Sequence, residues 1–194
     1  MAITTDQIKT LRDETGISVM QCRKALEEAG GDSEKARVIL RKQGASAAAK
    51  KGDRTLASGT IAAYIHGGSV GAMVELSCET DFVARNEEFK AVAYDIAMQV
   101  AATNPEFKSR ADVDEGALAK AREVFVAEIA GKPKELQEKI LEGKLNAYFA
   151  DKILLEQTFI KNEELTIISL IERAIQKFGE KVEVRRFVRF STAG

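Results

Sequence analysis

Residues 60–79 read TIAAYIHGGSVGAMVELSCE, which is two β-rich runs joined by a Gly-Gly-Ser turn. In the second run, alternate side chains are small or apolar; they are Val70, Ala72, Val74, Leu76 and Cys78. Because successive side chains of a strand point to opposite faces, this alternation predicts a β-hairpin with one buried face. No Lys-Ser or Lys-Thr pair follows the glycines, so they indicate a turn and not a phosphate-binding loop.

The chain after the hairpin shows mostly helical spacing and ends in an alternating run. The first expected element is a helix capped by Asn86 and ended by Asn104-Pro105, followed by a helix over 114–129. A third helix has Pro133 in its first turn, and a break in it at Gly143 is left open. An extended segment over 153–160, a helix from Thr166 to Gly179 and a strand over 182–190 complete the prediction. An antiparallel sheet backed by helices, which is an α+β fold, is therefore predicted for residues 57–194.

Three short helices are predicted before the hairpin. Their cap and stop residues are, in order, Thr4 with Gln7, Gly16, Ser18 with Gln21, Gly30-Gly31, Asp32 and Gly44. Each helix has a narrow apolar stripe, so residues 1–44 should form a small three-helix bundle.

A linker is predicted between these two units, at residues 45–56. Its start is rich in alanine, which favours partial helix. Its basic residues Lys50, Lys51 and Arg54 allow two interpretations, a solvated connector or a contact with nucleic acid. The whole chain carries 29 basic and 30 acidic residues, and this balance favours the connector.

The composition argues against most catalytic classes. The 194 residues include a single histidine, His66, and two well-separated cysteines, Cys22 and Cys78. A hydrolytic triad or a clustered zinc site needs more of these residues, so we predict no catalytic residue, no metal site and no cofactor. The N-terminal residues lack the pattern of a secretory signal, and no apolar run is long enough to span a bilayer. A cytoplasmic protein without membrane contact is expected.

The segment from Cys78 to Asn86 leaves a strand and enters a helix within a few residues, and it places Asp81 beside Phe82. Two interpretations are open. Phe82 could fold into the core while Asp81 caps the helix, or Phe82 could point outward as an anchor for a partner protein. Periodicity does not distinguish them.

Several motifs of this chain resemble the elongation factor Ts family. They are Glu75–Arg85, with its Thr-Asp-Phe-Val run after the second strand, Leu11–Gly16, Met20–Leu26, Gly131–Glu135, Glu142–Lys144 and Arg185–Phe187. The N-terminal motifs resemble the ubiquitin-associated-like helical domain of that family. The chain departs from the family pattern at Ser18 and Val19, and at Thr158, where many members have proline.

The resemblance implies guanine nucleotide exchange on elongation factor Tu. The residues implied in disruption of the magnesium site of that partner are Thr80, Asp81, Phe82 and Val83. The residues implied in contacts of the N-terminal domain are Arg12, Met20 and Arg23. Long members of the family carry a second core half, for which this chain has no room, so a homodimer is expected.

Two other function classes compete with nucleotide exchange. The N-terminal bundle could act as an interaction module for helices or ubiquitin-like folds, but the core motifs argue against this. An RNA-binding translation factor using Lys50, Lys51 and Arg54 would need a basic excess that the chain lacks. We therefore expect no direct contact with nucleic acid.

Overall fold

A computed structural model describes residues 3–131 and 133–193. Its helices and strands are α1 (Thr5–Thr15), α2 (Val19–Glu28), α3 (Ser33–Ala49), β1 (Ser58–His66), β2 (Val70–Cys78), α4 (Asp81–Ala84), α5 (Glu87–Thr103), α6 (Glu115–Ile129), α7 (Lys134–Ala150), β3 (Thr158–Phe159), β4 (Asn162–Thr166), α8 (Ile167–Phe178) and β5 (Glu183–Ser191). The resemblance noted at Gly131–Glu135 includes Lys132, which lies outside the described residues.

The predicted hairpin is confirmed. β1 pairs with β2 in antiparallel register from Ser58 opposite Cys78 to His66 opposite Val70. β5 pairs with the other edge of β2, also antiparallel, so the three-stranded sheet has the order β1-β2-β5. Four of the five inward residues of β2, which are Ala72, Val74, Leu76 and Cys78, are buried as the alternation predicted, and Val70 is half-buried.

One helix, α5, covers one face of this sheet, and a second helix, α8, packs beside it against α5 and α3. α5 begins at its predicted cap Asn86 and buries Phe89 and Ile96, while α8 runs between the predicted residues Thr166 and Gly179 and buries Ile171. These side chains share one hydrophobic core with the inner face of β2. The predicted α+β fold, with an antiparallel sheet backed by helices, is confirmed.

The three N-terminal helices form their own small core around Leu11, Ile17, Leu26 and Leu40. Thr4, Ser18 and Asp32 cap them as the sequence predicted.

The prediction that Gly44 ends the third helix is wrong. α3 continues to Ala49, and Gly44 lies inside it against α8, where an added Cβ would lie 3.3 Å from Oε1 of Gln176 and 3.5 Å from Cβ of Glu172. The first part of the predicted linker is therefore helical, and Ala47 and Ala48 pack against the core cluster of the sheet. Glycine at this position allows α3 to pack closely on α8 and does not end the helix.

The prediction that residues 153–160 are extended is also wrong for most of these residues. Leu154–Glu156 form a 3₁₀ turn, and only Thr158–Phe159 pair, with the unpredicted strand β4. The backbone bonds of this segment account for the turn, since the N–H groups of Leu154 and Leu155 donate to the carbonyls of Phe107 and Lys108 at 2.8 and 3.1 Å. The N–H groups of Glu156 and Gln157 donate back to the carbonyl of Ile153, so no strand partner is needed here.

Two smaller details differ in the α6–α7 region. Pro133 is the residue before α7 and not in its first turn, and α7 continues without a break through Gly143. Within residues 3–131 and 133–193, no helix is long and apolar enough to cross a membrane.

The two helical glycines Gly44 and Gly143 should respond oppositely to the same substitution. Gly44→Leu should lower the free energy of unfolding by about 1–3 kcal/mol, because the larger side chain must displace α8. Gly143→Leu should leave stability unchanged or raise it by up to about 1 kcal/mol, because its Cβ meets open space and leucine favours helix. Urea unfolding of both variants measures the difference, and equal effects would contradict the packing of α3 on α8.

Candidate partner-binding site

The segment between β2 and α5 is a sharp corner built from two consecutive caps. Thr80 caps α4, and its hydroxyl accepts from the N–H of Val83 at 3.4 Å. α4 lasts only to Ala84, and Asn86 then caps α5 by accepting from the N–H of Glu88 at 2.8 Å. The corner therefore presents a single helical turn between the strand and the long helix.

The inner side of this turn belongs to the core. Val83 is only 5% exposed, and Ala84 is buried beside it. Cys78, at the end of β2, is also buried, and its thiol contacts the carbonyl oxygen of Thr80 at 3.2 Å. Burial, with a smaller effect from the nearby Glu180 carboxylate, raises the pKa of the Cys78 thiol to about 11. These residues anchor the turn and offer no reactive group.

The outer side of the turn carries an aromatic anchor. Phe82 is 80% exposed, so the interpretation that it folds into the core is wrong. Thr80 and not Asp81 is the helix cap, and Asp81 pairs with Arg85 at 3.1 Å on the solvent side. The corner thus presents an apolar ring beside a carboxylate, an arrangement suited to docking on a partner protein.

The turn is held at its beginning by Glu180, which sequence reasoning missed. The Glu180 carboxylate accepts from the backbone N–H groups of Glu79 and Thr80, each at 3.0 Å, and from the Thr80 hydroxyl at 2.6 Å. Glu180 directly follows the glycine that ends α8. A polar residue after a helix-ending glycine is common, so no pattern in the sequence indicates that Glu180 holds the corner.

Glu79 makes the reciprocal contact. Its carboxylate accepts from the N–H of Lys181 at 2.5 Å and from the guanidinium of Arg54 at 3.1 Å. The Lys181 N–H, followed by the Arg54 guanidinium, lowers the pKa of the Glu79 carboxyl. Arg54 of the predicted linker therefore makes an intramolecular ion pair with Glu79. This contact supports the interpretation of the segment as a connector.

The N-terminal candidates lie on the surface of the helical bundle. Met20, in the first turn of α2, is 82% exposed. Arg23 pairs with Glu27 at 2.9 Å one turn later, and Arg12, in the last turn of α1, lies 3.5 Å from Asp13. The structure thus presents two groups of candidates, one on the bundle and one on the corner of the core.

Comparison with known proteins shows the family to which the chain belongs. A family model described as Elongation factor TS matches residues 48–194, which is most of the chain and includes the whole corner. The chain belongs to the elongation factor Ts family.

Relatives named Elongation factor Ts match over almost their whole length. The protein of Thermodesulfovibrio yellowstonii is 50% identical over 191 residues, which cover 98% of this chain and 96% of the relative. The protein of Carboxydothermus hydrogenoformans is 50% identical, with 97% and 88% covered, and that of Thermotoga petrophila is 49% identical, with 98% and 96% covered. The resemblance to elongation factor Ts is confirmed, and the chain is a translation elongation factor.

The two phenylalanines Phe82 and Phe89 test the geometry of the corner. Phe82→Ala should leave the free energy of unfolding nearly unchanged, because the ring is in solvent. Phe89→Ala should lower it by about 3–5 kcal/mol, because that ring is fully buried in the core. Denaturant unfolding followed by circular dichroism provides the comparison. A large loss of stability in Phe82→Ala would mean that the ring packs inward in solution.

Proposed function

We propose that this chain is a guanine nucleotide exchange factor that binds elongation factor Tu·GDP, disrupts its magnesium and phosphate site and promotes GDP release during translation elongation. The observation that carries the proposal is the exposed ring of Phe82 on a helical turn whose other side is buried. Family membership supports it, because the corner lies within the matched residues.

Phe82 enters the nucleotide domain of the partner near its magnesium site, and Asp81 hydrogen-bonds to the partner's backbone there. The ion pair between Asp81 and Arg85 is exposed, and exposed pairs contribute little, so Asp81 can exchange Arg85 for a partner group at small cost. Val83 is buried and supports the turn from within, and Thr80 caps it.

Exchange on this account is a linkage effect, and the chain forms no covalent bond and needs no cofactor. The factor must bind nucleotide-free partner more tightly than GDP-bound partner, and GDP must weaken binding of the factor by the same ratio. Burial of one phenylalanine contributes about 1.5–3 kcal/mol, or ten- to a hundredfold in an equilibrium constant. Asp81 and the N-terminal residues Arg12, Met20 and Arg23 supply the remaining differential affinity. The reaction belongs to translation and therefore to the cytoplasm.

A homodimer is the second part of the proposal, and the uncovered face of the sheet supports it. In the strand register, Ile61 and Ile65 of β1, Met73 of β2, and Val188 and Phe190 of β5 share the face opposite to α5 and α8. All five are exposed, with Ile65 at 72% and Phe190 at 69%. Soluble monomers seldom expose such a continuous apolar patch.

A second copy of the chain is the proposed occupant of this sheet face. Ile65, Met73 and Phe190 line a groove of about 390 Å³ that can receive apolar side chains of the same face. Two identical apolar faces related by a twofold axis cover each other without an additional partner.

Release of a fluorescent GDP analogue from elongation factor Tu tests the exchange activity. The chain should accelerate release, and Phe82→Ala should reduce that acceleration by about ten- to a hundredfold. Met20→Ala should cause a smaller, measurable loss, because the N-terminal contact adds to the affinity. Val124→Ala, which truncates an exposed apolar side chain on α6, serves as the control and should act like the unmodified chain. No acceleration by the unmodified chain, with active Tu, would refute the proposed function.

Sedimentation equilibrium tests the homodimer. The chain should sediment as a dimer at micromolar concentration, and Phe190→Glu should convert it to a monomer, because the charge would be buried at the interface. Ile160→Glu, at an exposed position outside the three-stranded sheet, should remain dimeric. A monomeric unmodified chain would refute the dimer, and a dimeric Phe190→Glu variant would refute this interface.

A further inference from the structure

The helical turn that carries Phe82 cannot fix its own orientation. α4 has four residues, and isolated helices need about 12–15 residues to be even marginally stable in water. Its inner side is held by Val83 and Ala84 in the core. Apolar packing alone is non-directional. Polar contacts at the beginning of the turn therefore restrict the direction in which Phe82 points, in addition to this packing.

Glu180 supplies those contacts. One carboxylate oxygen accepts from the N–H groups of Glu79 and Thr80, each at 3.0 Å, and the other accepts from the Thr80 hydroxyl at 2.6 Å. The same hydroxyl accepts from the N–H of Val83 at 3.4 Å. A continuous series of hydrogen bonds thus leads from Glu180 through the cap residue into the turn. Three donors on two consecutive residues restrict both the position and the rotation of Thr80.

Glu180 is itself held in place on both sides. Gly179, at a positive φ of 72°, ends α8 with an N–H bond to the carbonyl of Ile175, so the backbone before Glu180 is defined. The N–H of Lys181, directly after it, donates to Glu79 at 2.5 Å. Glu180, in the turn between α8 and β5, therefore accepts from the backbone of the corner, and Glu79, in the corner, accepts from the backbone of that turn. These two contacts fix the two segments to each other.

We propose that Glu180 is a positioning residue for nucleotide exchange: its carboxylate fixes the Thr80 end of α4, so that Phe82 is presented in one orientation before the partner binds. The inference rests on the proposed exchange function. An anchor whose backbone is ordered in the free protein loses less conformational entropy on binding, so preorganisation raises affinity for the partner without a new contact.

A purely structural role for Glu180 is the alternative, and a double-mutant cycle separates the two. If Glu180 acts through Phe82, its removal matters only while the ring of Phe82 is present. If Glu180 merely stabilises the fold, its removal has the same effect with or without that ring.

The experiment measures release of a fluorescent GDP analogue from elongation factor Tu at subsaturating factor, for the unmodified chain, Glu180→Ala, Phe82→Ala and the double variant. Glu180→Ala should slow release by about tenfold, the size expected for the loss of a hydrogen bond to a charged group. In the Phe82→Ala background, the same change should alter the rate by less than about twofold. Equal fold-changes in both backgrounds, or no effect of Glu180→Ala, would overturn the proposal.

Two further variants sharpen the test. Glu180→Gln should retain most of the activity, because its amide oxygen can accept from both N–H groups while its NH₂ donates to the oxygen of Thr80. Glu156→Ala removes a glutamate that pairs with Arg110 at 2.6 Å and lies outside the corner, so it is a matched control and should not change the rate. Loss of activity in Glu180→Gln equal to that in Glu180→Ala would contradict the hydrogen-bonding account.

Folding of every variant is checked by circular dichroism and thermal unfolding. If Glu180→Ala does not fold, Glu180→Asp takes its place in the cycle, since its shorter side chain keeps the charge but cannot reach all three donors. A loss that depends on Phe82 is again expected, and an independent loss overturns the proposal. Failure of the unmodified chain to accelerate release would refute the exchange function itself. Normal activity of the Glu180 variants beside a defective Phe82→Ala would refute only the positioning role.

Discussion

Burial of one face of β2 is the constraint on which the rest of the structure depends. β2 is the middle strand, so both of its edges are paired, and its inner side chains form the centre of the core with α5 and α8. The strand ends at the buried Cys78, two residues before the cap of α4. The corner is thus a direct continuation of the most constrained strand, and this places Phe82 on a rigid base.

The hairpin, α5 and α8 could be predicted because each has a local period that matches the face it buries. The alternation of β5 predicted a strand but not its faces, because a register shift against β2 leaves Val184 in the core and puts Val188 and Phe190 on the exposed face. The end of α3 and the conformation of residues 153–160 could not be predicted, because each depends on a contact far away in the chain. Gly44 is read as a stop unless α8 is known to lie against it. The segment after Ile153 forms a turn because the carbonyls of Phe107 and Lys108, far earlier in the chain, accept from the N–H groups of Leu154 and Leu155.

The Thr-Asp-Phe-Val motif indicates where the candidate site lies in the sequence. The periodicity of the surrounding residues does not predict the geometry of that site. A single helical turn is too short for periodicity to say which side chain faces the core, so Phe82 could be placed inward or outward. The contact that holds the turn joins Thr80 to Glu180, 100 positions apart, through a side chain of ordinary type. Such a contact depends on the full fold, and the sequence could not reveal it.

The exposure of the Phe82 ring lowers the stability of the free protein but leaves the ring available to a partner. Leaving a phenylalanine ring in water forgoes about 1.5–3 kcal/mol that burial would contribute. The adjacent Val83 and Ala84 are buried, so the turn does not lack apolar side chains for the core; it presents one of them outward. The charged pair Asp81–Arg85 is exposed as well. Since the backbone beneath the ring is already ordered by the core and by Glu180, a partner that buries Phe82 gains the hydrophobic free energy without first having to order the turn.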